Sequence, residues 1–351
     1  MRLKPIAFID TEVEPNSGKI LDIGGIKTDG SSFHSSSIAD FRHFLQGAAF
    51  LCGHNIINHD LKYLRKAGVA SEYKDVDILD TLFLSPLLFP AKPYHALVKD
   101  DKIQTEELNN PLNDSIKARD LFFDEVSAFQ RLDSELKQIL ALLLQATGEF
   151  GGFFKYLGFD GSPAEVERLI GKRFHGKICE RADLSLIIKD YPIELAYCLA
   201  LINTGHQYSI TPPWVTKNYP NVKRTMHLLC GKPCLLGCTY CNSALDINKG
   251  LKEFFGFDSY RKYDDEPLQE RAAQAAIDNK SILAIFPTGG GKSVTFQVPA
   301  LMQGKNVRGL TVVISPLQSL MKDQVDNLEK LGIIDAVTIN GLLDPIEKAK
   351  A

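Results

Sequence analysis

"SILAIFPTGGGKSVTFQVPAL", residues 281–301, joins two apolar runs through a glycine-rich loop. The order indicates a strand, a loop and a helix, which is how a parallel α/β sheet begins. Backbone N–H groups of such a loop, at the N-terminus of a helix, bind phosphate oxygens. The stretch therefore predicts both the fold and a nucleotide-phosphate site for the last part of the chain.

The glycine-rich loop departs from the usual phosphate-binding motif at one position. The form G-x-x-x-x-G-K-S would place glycine at position 286, where this chain has Phe286. Its P-T-G-G-G-K-S form is that of superfamily 2 helicases. We expect Lys292 to reach the β- and γ-phosphates of ATP and Ser293 to ligate Mg²⁺. The predicted phosphate-binding residues are Thr288, Gly289, Gly290, Gly291, Lys292 and Ser293.

The flanks of the loop extend this similarity. "QERAAQAAI" precedes it and "VVISPLQSLMKDQVDNL" follows it, and from about Phe255 onward the chain resembles RecQ-type DNA helicases. The resemblance implies that Gln274, three residues after Arg271, reads adenine. It also implies that Ser315–Leu317 and Asp323–Gln324 lie on the side that touches DNA. ATP and DNA are the expected partners.

The resemblance covers only the front of a first helicase lobe, so residues 251–351 are expected to be an incomplete, P-loop-containing RecA-like lobe. The acidic D-E-x-H motif and the second lobe would come later in such a helicase. We therefore expect a longer nuclease–helicase fusion or a truncated product, unable to unwind DNA by itself. Such a part-lobe should be poorly stable alone and should expose apolar surface.

Four cysteines lie within "CGKPCLLGCTYC", residues 230–241. Four thiolates so near one another in sequence can bind one Zn²⁺ ion tetrahedrally. The ion would stabilise a small metal-binding knot over residues 229–250. The predicted ligands are Cys230, Cys234, Cys238 and Cys241. The other three cysteines, Cys52, Cys179 and Cys198, stand among apolar residues and are predicted to be core.

An iron–sulfur cluster is the alternative to zinc. "CLLGCTYC" also has the C-x3-C-x2-C spacing of radical-SAM enzymes, which bind a [4Fe–4S] cluster. Those enzymes need a large barrel around the motif, and fewer than fifty residues separate Cys241 from the phosphate loop. We therefore prefer zinc, and a brown colour of the purified protein would favour iron.

Acidic residues recur at three places near the start of the chain. "AFIDTE" carries Asp10 and Glu12, which would share one face of a strand and could bind one hard cation. "GHNIINHDLKYLRKAG" places Asp60 at the start of a short helix, and "NNPLNDSIKARDLF" places Asp114 on another. Taken singly, each carboxylate could equally be a helix cap or a solvated residue.

Together, these segments resemble the DEDD family of 3′–5′ exonucleases over roughly the first 125 residues. The resemblance implies a ribonuclease-H-like domain over residues 1–130, with Asp10, Glu12, Asp60 and Asp114 holding two Mg²⁺ or Mn²⁺ ions. Such ions clamp the attacking and leaving oxygens of a phosphodiester. Single-stranded DNA or a 3′ end is the implied substrate, and a fused helicase would feed strands to the nuclease in DNA repair, recombination or phage defence.

One position departs from that family. Its commonest subtype has a histidine general base five residues before the last aspartate, where this chain has Asn109. An amide can orient water but accepts no proton at pH 7. Tyr94 or His95 could substitute, although His95 is more readily interpreted as structural. A nucleic-acid-binding module with weak or no nuclease activity is therefore the alternative.

The composition of the chain excludes several classes of protein. The 351 residues are 44% hydrophobic and 24% charged, as in soluble globular proteins, and their net charge of −3 predicts no general affinity for nucleic acid. No apolar run is long enough for a membrane span, and the first residues do not form a signal peptide. We expect a reducing cytoplasm. Residues 131–228 are predicted to form a mainly helical linker region, and they contain no recognisable motif.

Overall fold

The computed structural model describes residues 4–92, 94–97, 110–159, 161–204, 210–287, 289–341 and 343–344. Two predicted site residues, Asn109 and Thr288, lie outside these ranges. The chain divides into two compact units. The first comprises Met1–Phe174, Asp183–Thr204 and Pro212–Thr225, and the second comprises His175–Ala182, Gly205–Thr211 and Met226–Ala351.

The first unit contains a mixed five-stranded sheet in the order β3-β2-β1-β4-β5. Its strands are β1 Ile6–Val13, β2 Ile20–Lys27, β3 Ser32–His34, β4 Phe50–Gly53 and β5 Ile78–Asp80. The first three form an antiparallel meander, and β4 and β5 run parallel to β1. The predicted α/β class, with parallel strands in the sheet, is confirmed, but this sheet belongs to the front of the chain.

Helices cover the sheet because its central strand is apolar on both faces. Ile6, Ala7, Phe8 and Ile9 are all fully buried in β1, a pattern typical of a strand covered on both sides. The helices beside the strands are α1 Ile38–Leu45, α2 Asp60–Lys66, α3 Thr81–Leu88 and α4 Pro111–Arg131. The long helix α4 packs across β1 and β2, where Phe122 meets Phe8 with ring centroids 5.9 Å apart.

The region predicted to be helical after residue 131 is helical. Its members are α5 Ser134–Leu144, α6 Gly151–Leu157, α7 Val166–Arg173, α8 Leu184–Asp190, α9 Pro192–Thr204, α10 Pro213–Asn218 and α11 Asn221–Met226. From Ile193 to Leu201 every residue of α9 is buried, and this helix packs against α3, α5 and α8. Helices α5 to α10 thus belong to the same compact unit as the sheet.

In its described residues, the second unit contains a π-helical turn, His227–Gly231, and five helices. They are α12 Thr239–Ala244, α13 Ile247–Phe255, α14 Leu268–Ile277, α15 Lys292–Val307 and α16 Gln318–Lys330. Helix α15 packs against α13 and α14. None of the helices in the described ranges is both long and apolar enough to cross a membrane.

The strands predicted on either side of the phosphate loop are not formed. Among the described residues after 250, the β-pairing is a single bridge between Tyr263 and Glu266. Leu283, Ile285 and Ile314 in these apolar runs are 80–92% exposed. A parallel strand needs neighbours along its edges and helices over its faces, and these runs have neither. The expected exposure of apolar side chains here is confirmed.

Candidate functional site

The two carboxylates of the first acidic motif lie near the C-terminal end of β1. Asp10 pairs with Gly24 and Glu12 with Asp22 across the antiparallel β1–β2 ladder. Because alternate residues of a strand point to the same face, Asp10 and Glu12 share a face, as predicted from their spacing. Both side chains are partly buried, so water still reaches their carboxylates.

Gly24 brings the third acidic segment to this place. A Cβ atom at position 24 would lie 2.0 Å from both the carbonyl carbon of Pro111 and the backbone nitrogen of Leu112. The first turn of α4, which contains Asp114, therefore lies directly on the strand position opposite Asp10. Asn110 caps this helix, since its side-chain oxygen accepts hydrogen bonds from the backbone N–H groups of Leu112 and Asn113.

Asp60 contacts β1 from the start of α2. Its Oδ1 accepts two hydrogen bonds from Thr11, one from the backbone nitrogen at 2.8 Å and one from Oγ1 at 2.7 Å. Burial raises the pKa of Asp60 to about 7, against the lowering effect of the Thr11 hydrogen bonds, and the nearby charge of Asp80 adds to the rise. Thr11, between the two motif carboxylates, thus ties the second acidic segment to the first.

Asp10, Glu12 and the first turn of α4 lie on one face of the sheet, whereas Asp60 bonds to the side chain of Thr11, which points to the opposite face of β1. No three acidic residues in the described ranges bring one oxygen each within 4.8 Å of one another. Like charges at closer range would raise one another's pKa and repel. The partly exposed carboxylates are Asp10 and Glu12 on the strand and Asp114 on the helix above, while Asp60 is 1% exposed.

Asp80 is a buried carboxylate that the sequence analysis does not single out. It caps α3 by accepting from the N–H of Leu82, and it also accepts from Asn55 and Ile57 at 2.9 and 3.0 Å. Burial raises its pKa to about 6, despite these three donors. Asp80 thereby fixes the Gly-His-Asn turn that leads into α2, where Asn55 has a φ of 68°. In the sequence, Asp80 and Thr81 directly follow an apolar run. An aspartate in this position is typical of a helix N-cap, and this pattern could have predicted the role of Asp80.

His95 is hydrogen-bonded to a serine in the protein interior. It is buried, its Nδ1 lies 2.8 Å from Ser85 Oγ, and burial lowers its pKa to about 4. Tyr94 beside it is exposed. The structural interpretation of His95 is therefore the better one. Among the described residues, three buried side chains have atoms without a hydrogen-bond partner, namely His54 Nε2, His95 Nε2 and both carboxylate oxygens of Glu125.

In the second unit, four thiols lie close together. Three of them belong to the predicted ligand set, and the fourth does not. The sulfur atoms of Cys179, Cys234, Cys238 and Cys241 all lie within 4.8 Å of one another. The predicted fourth member, Cys230, is not among them. It is buried in the π-helical turn, where its thiol donates to the carbonyl of Lys177 at 3.5 Å. Cys179 is buried, as predicted for a core residue, and its sulfur also belongs to this group.

The backbone around these thiols is arranged to receive negative charge. The N–H of Cys241 donates to Cys238 Sγ at 3.4 Å, at the start of α12. Burial raises the pKa of Cys238, but hydrogen bonds from the backbone of Cys241 and Glu180 outweigh it and lower the pKa to about 7. Cys179 is held from the other side, because its N–H donates to the carbonyl of Leu229 at 2.7 Å.

The phosphate loop has the backbone form that its glycines permit. Gly289 and Gly291 have positive φ values of 75° and 64°, and Gly291 caps helix α15, which begins at Lys292. The hydroxyl of Tyr263 donates to the carbonyl of Gly290. The first N–H groups of α15 are therefore presented at the open end of the loop, as a phosphate site requires.

Gln269, not Gln274, is the glutamine of α14 that contacts this loop. The Nε2 of Gln269 donates to the carbonyls of Gly290 and Gly291 at 2.9 and 3.1 Å, and its Oε1 accepts from the N–H of Arg261. Gln274 instead donates to the side chain of Asp278. Five residues along a helix turn a side chain by about 140°, so the two glutamines face different surroundings.

Gln324, expected on the DNA side, touches the phosphate loop. Its Nε2 donates to Ser293 Oγ at 3.0 Å, and its Oε1 accepts from Gln297 at 2.7 Å. Ser315 and Leu317, from the same predicted motif, are joined locally by a 3.5 Å hydrogen bond from the serine hydroxyl to the carbonyl of Leu317. The hydroxyl predicted to ligate Mg²⁺ is thus linked through one side chain to helix α16.

Comparisons with known proteins agree with the helicase resemblance over this unit. Residues 266–349 match the family model of the DEAD/DEAH box helicases. The ATP-dependent DNA helicase RecQ of Bacillus subtilis is 49% identical over 90 residues, which are 26% of this chain and 14% of that protein. RecQ of Haemophilus influenzae is 48% identical over 83 residues, 24% of this chain and 12% of its own length.

A eukaryotic relative shows the same limited span. The ATP-dependent DNA helicase hus2/rqh1 of Schizosaccharomyces pombe is 45% identical over 83 residues, 24% of this chain and 6% of that protein. The chain thus spans less than a fifth of the length of these helicases. No solved structure matches it. Residues 266–349 are accordingly similar to DEAD/DEAH box helicases, and the relatives named here are RecQ-type helicases.

Proposed function

We propose that the chain combines a metal-dependent 3′–5′ exonuclease domain with an ATP-binding, RecQ-like helicase segment, and that both act on DNA. The observation that carries the nuclease part is the meeting of three acidic segments around β1. Asp10 and Glu12 share its face, the first turn of α4 lies on Gly24 opposite Asp10, and Asp60 bonds to Thr11. The helicase part rests on the loop geometry and on the sequence similarity to RecQ helicases.

The order of the strands supports a ribonuclease-H-like fold for the first domain. An antiparallel meander of three strands, extended by two parallel ones on the far side of β1, is the arrangement implied by the DEDD resemblance. The acidic pair lies near the C-terminal end of the central strand, where β4 has already ended at Gly53. Beyond this point the N–H of Thr11 donates to Asp60, so the start of α2, and not a further strand, borders β1 here.

The proposed pair of cations rests on the resemblance to DEDD exonucleases. Two such ions lie about 4 Å apart. Two bound divalent cations would stabilise the attacking and leaving oxygens of the phosphodiester. The carboxylates are hard oxygen ligands of the kind Mg²⁺ and Mn²⁺ prefer, and binding requires Asp60, whose pKa is raised to about 7, to be ionised.

A nuclease assay on 3′-labelled single-stranded DNA with Mg²⁺ or Mn²⁺ tests this function. We expect Asp10→Ala and Asp114→Asn to lose at least a hundredfold in rate. The matched control is Asp120→Asn, an exposed aspartate six residues further along α4 that pairs with Arg119. Equal activity of the Asp10 variant and the wild type would remove the proposed site.

A DNA-binding module without turnover is the second candidate, and the position of His95 favours it. A general base must accept a proton near the scissile phosphate, and His95 is instead buried against Ser85. Position 109 is asparagine, and His34, which pairs with Gly24 opposite Asp10, already bonds to Asp22 through its Nε2. Retention of labelled DNA in Mn²⁺ without any shortening, abolished by Asp10→Ala, would establish this second function.

The helicase segment is proposed to bind ATP through Lys292 and Ser293, with Mg²⁺ on the serine hydroxyl. We propose Gln269 as the glutamine that links the nucleotide to α14, because it already holds two carbonyls of the loop. Titration with a fluorescent ATP analogue tests this part. Lys292→Ala should weaken binding at least tenfold, whereas Lys305→Ala, an exposed change further along α15, should leave it unchanged.

A further inference from the structure

We infer that the thiolates of Cys179, Cys234, Cys238 and Cys241 hold one Zn²⁺ ion, and that this ion fastens residues 175–182 to the cysteine loop. Neither the nuclease nor the helicase segment uses these side chains. The ligand set differs from the one suggested by the spacing within residues 230–241, because its first member comes from 55 residues before Cys234.

The spacing of the sulfur atoms fits a single ion. A tetrahedral zinc with Zn–S bonds of about 2.3 Å has its sulfurs about 3.8 Å apart. All four sulfurs here lie within 4.8 Å of one another, so a small adjustment would complete the tetrahedron. In a [4Fe–4S] cluster each thiolate binds a different iron, and the four sulfurs must surround the whole cluster. The compact group therefore favours zinc over iron–sulfur.

A tight turn closes the loop between the clustered cysteines. Gly237 has a positive φ of 67°, and its N–H donates to the carbonyl of Cys234 at 3.2 Å. This tight turn, followed by the start of α12 at Thr239, orients Cys234, Cys238 and Cys241 to one side. Backbone N–H donors to a ligating sulfur favour the thiolate form that zinc requires.

The fourth thiol comes from a segment with little regular structure of its own. Residues 175–182 belong to the second unit, although the helices before and after them belong to the first. The hydrogen bond from Cys179 to Leu229 brings this segment to the π-helical turn. A zinc ion bound by Cys179 would close a loop of more than fifty residues, and closing so long a loop stabilises the folded chain through the entropy of the unfolded one.

Cys230 provides an internal control. It lies in the same run of sequence and is as buried as the ligating thiols, but its sulfur donates to Lys177 and its carbonyl accepts from Tyr240 at 2.8 Å. A site defined by sequence spacing would use Cys230, whereas the site defined by the folded chain uses Cys179. Replacing each by serine separates the two.

The test is metal analysis of the full chain, purified without chelators, by mass spectrometry. We expect about one zinc per chain in the wild type and in Cys230→Ser, and a fall of at least tenfold in Cys179→Ser. Loss of zinc from Cys230→Ser with retention in Cys179→Ser would overturn the ligand set. A brown protein with iron and acid-labile sulfide, or a metal-free protein in which the four thiols are paired as disulfides, would overturn zinc.

A second variant keeps the test decisive if Cys179→Ser does not fold. Histidine is also a zinc ligand, so Cys179→His should retain the metal. Replacing the zinc with Co²⁺ then reports the ligand atoms through its visible absorption. The bands of the histidine variant should shift towards those of a three-sulfur, one-nitrogen site, while Cys230→Ser keeps the four-sulfur spectrum. An unshifted spectrum in Cys179→His would show that residue 179 is not a ligand.

Discussion

The backbone of Pro111 occupies the space that a side chain on Gly24 would fill. A Cβ atom at position 24 would lie 2.0 Å from the carbonyl carbon of Pro111, which no local adjustment of a side chain can relieve. Since Gly24 pairs with Asp10, this close approach sets the distance between the strand carboxylates and the start of α4. The proposed nuclease site thus depends on a residue that carries no functional group.

We therefore expect Gly24→Ala to displace the first turn of α4 and to lower both stability and nuclease rate. Overpacking of this kind typically costs about 1–3 kcal/mol. Denaturant unfolding and the 3′-end assay measure the two effects. The control is Gly171→Ala, which adds the same methyl group within α7 where no atom lies within 4 Å. Unchanged activity in Gly24→Ala would separate α4 from the site.

Asp80 should matter for stability although it is not proposed to bind a metal. In Asp80→Asn an amide N–H₂ must replace one carboxylate oxygen, and it would face one of the N–H donors of Asn55, Ile57 and Leu82. A buried donor left unpaired costs about 1–3 kcal/mol. We expect the free energy of unfolding to fall by this amount, measured in urea at pH 7.

Asp133→Asn is the matched control for this change. Asp133 caps α5 by accepting from Leu136, but it is half-exposed and water can replace the lost bond. Its loss in stability should therefore be smaller than that of Asp80→Asn. Equal losses in both variants would mean that Asp80 acts as an ordinary helix cap and does not hold the turn before α2.

Short-range patterns were sufficient for features that lie within one stretch of sequence. The alternation of Asp10 and Glu12 on β1 and the positive φ of Gly289 and Gly291 follow from local chemistry. Pairing between distant segments was not predictable in this way. Cys179 has apolar and charged neighbours like any core cysteine, and only the folded chain brings it to the thiol group.

Two further differences have the same origin. Gln274 and Gln269 lie on one helix, and a count from Arg271 cannot show which of them faces the phosphate loop. The apolar runs around residues 281–286 and 311–315 have the composition of strands. A strand, however, exists only with a hydrogen-bonded partner, and within the described part of the second unit these runs have none.

Glu125 predicts an unusual dependence of stability on pH. Burial raises the pKa of Glu125 well above its ordinary value, the charges of Asp80 and Asp124 raise it further, and Lys92 partly opposes them. Cys52, also buried beside it, has a raised pKa and adds no charge at neutral pH. A carboxyl group with a raised folded-state pKa favours folding at low pH, and this contribution is lost as pH rises from the ordinary carboxyl range towards the folded-state pKa.

The isosteric variant Glu125→Gln removes this titration. As pH rises from 4 to 8, the wild type should therefore lose stability relative to the variant. The loss is about 1.4 kcal/mol for each pH unit by which the pKa of Glu125 is raised within this range. Urea unfolding at several pH values measures the difference. Glu167→Gln, an exposed change on α7, should follow the wild type at every pH. Parallel curves for Glu125→Gln and the wild type would show that Glu125 titrates normally.

The two glutamines of α14 provide the sharpest test of the phosphate loop. Gln269 is buried and holds the carbonyls of Gly290 and Gly291, so Gln269→Ala should loosen the loop and weaken ATP binding by about tenfold, the value of one to two hydrogen bonds. Gln274→Ala removes only a local bond to Asp278 and should bind ATP like the wild type. Calorimetric titration of both variants measures the two affinities. The reverse order, with the larger loss in Gln274→Ala, would return the nucleotide-reading role to the residue suggested by the sequence and would mean that α14 rotates when ATP binds.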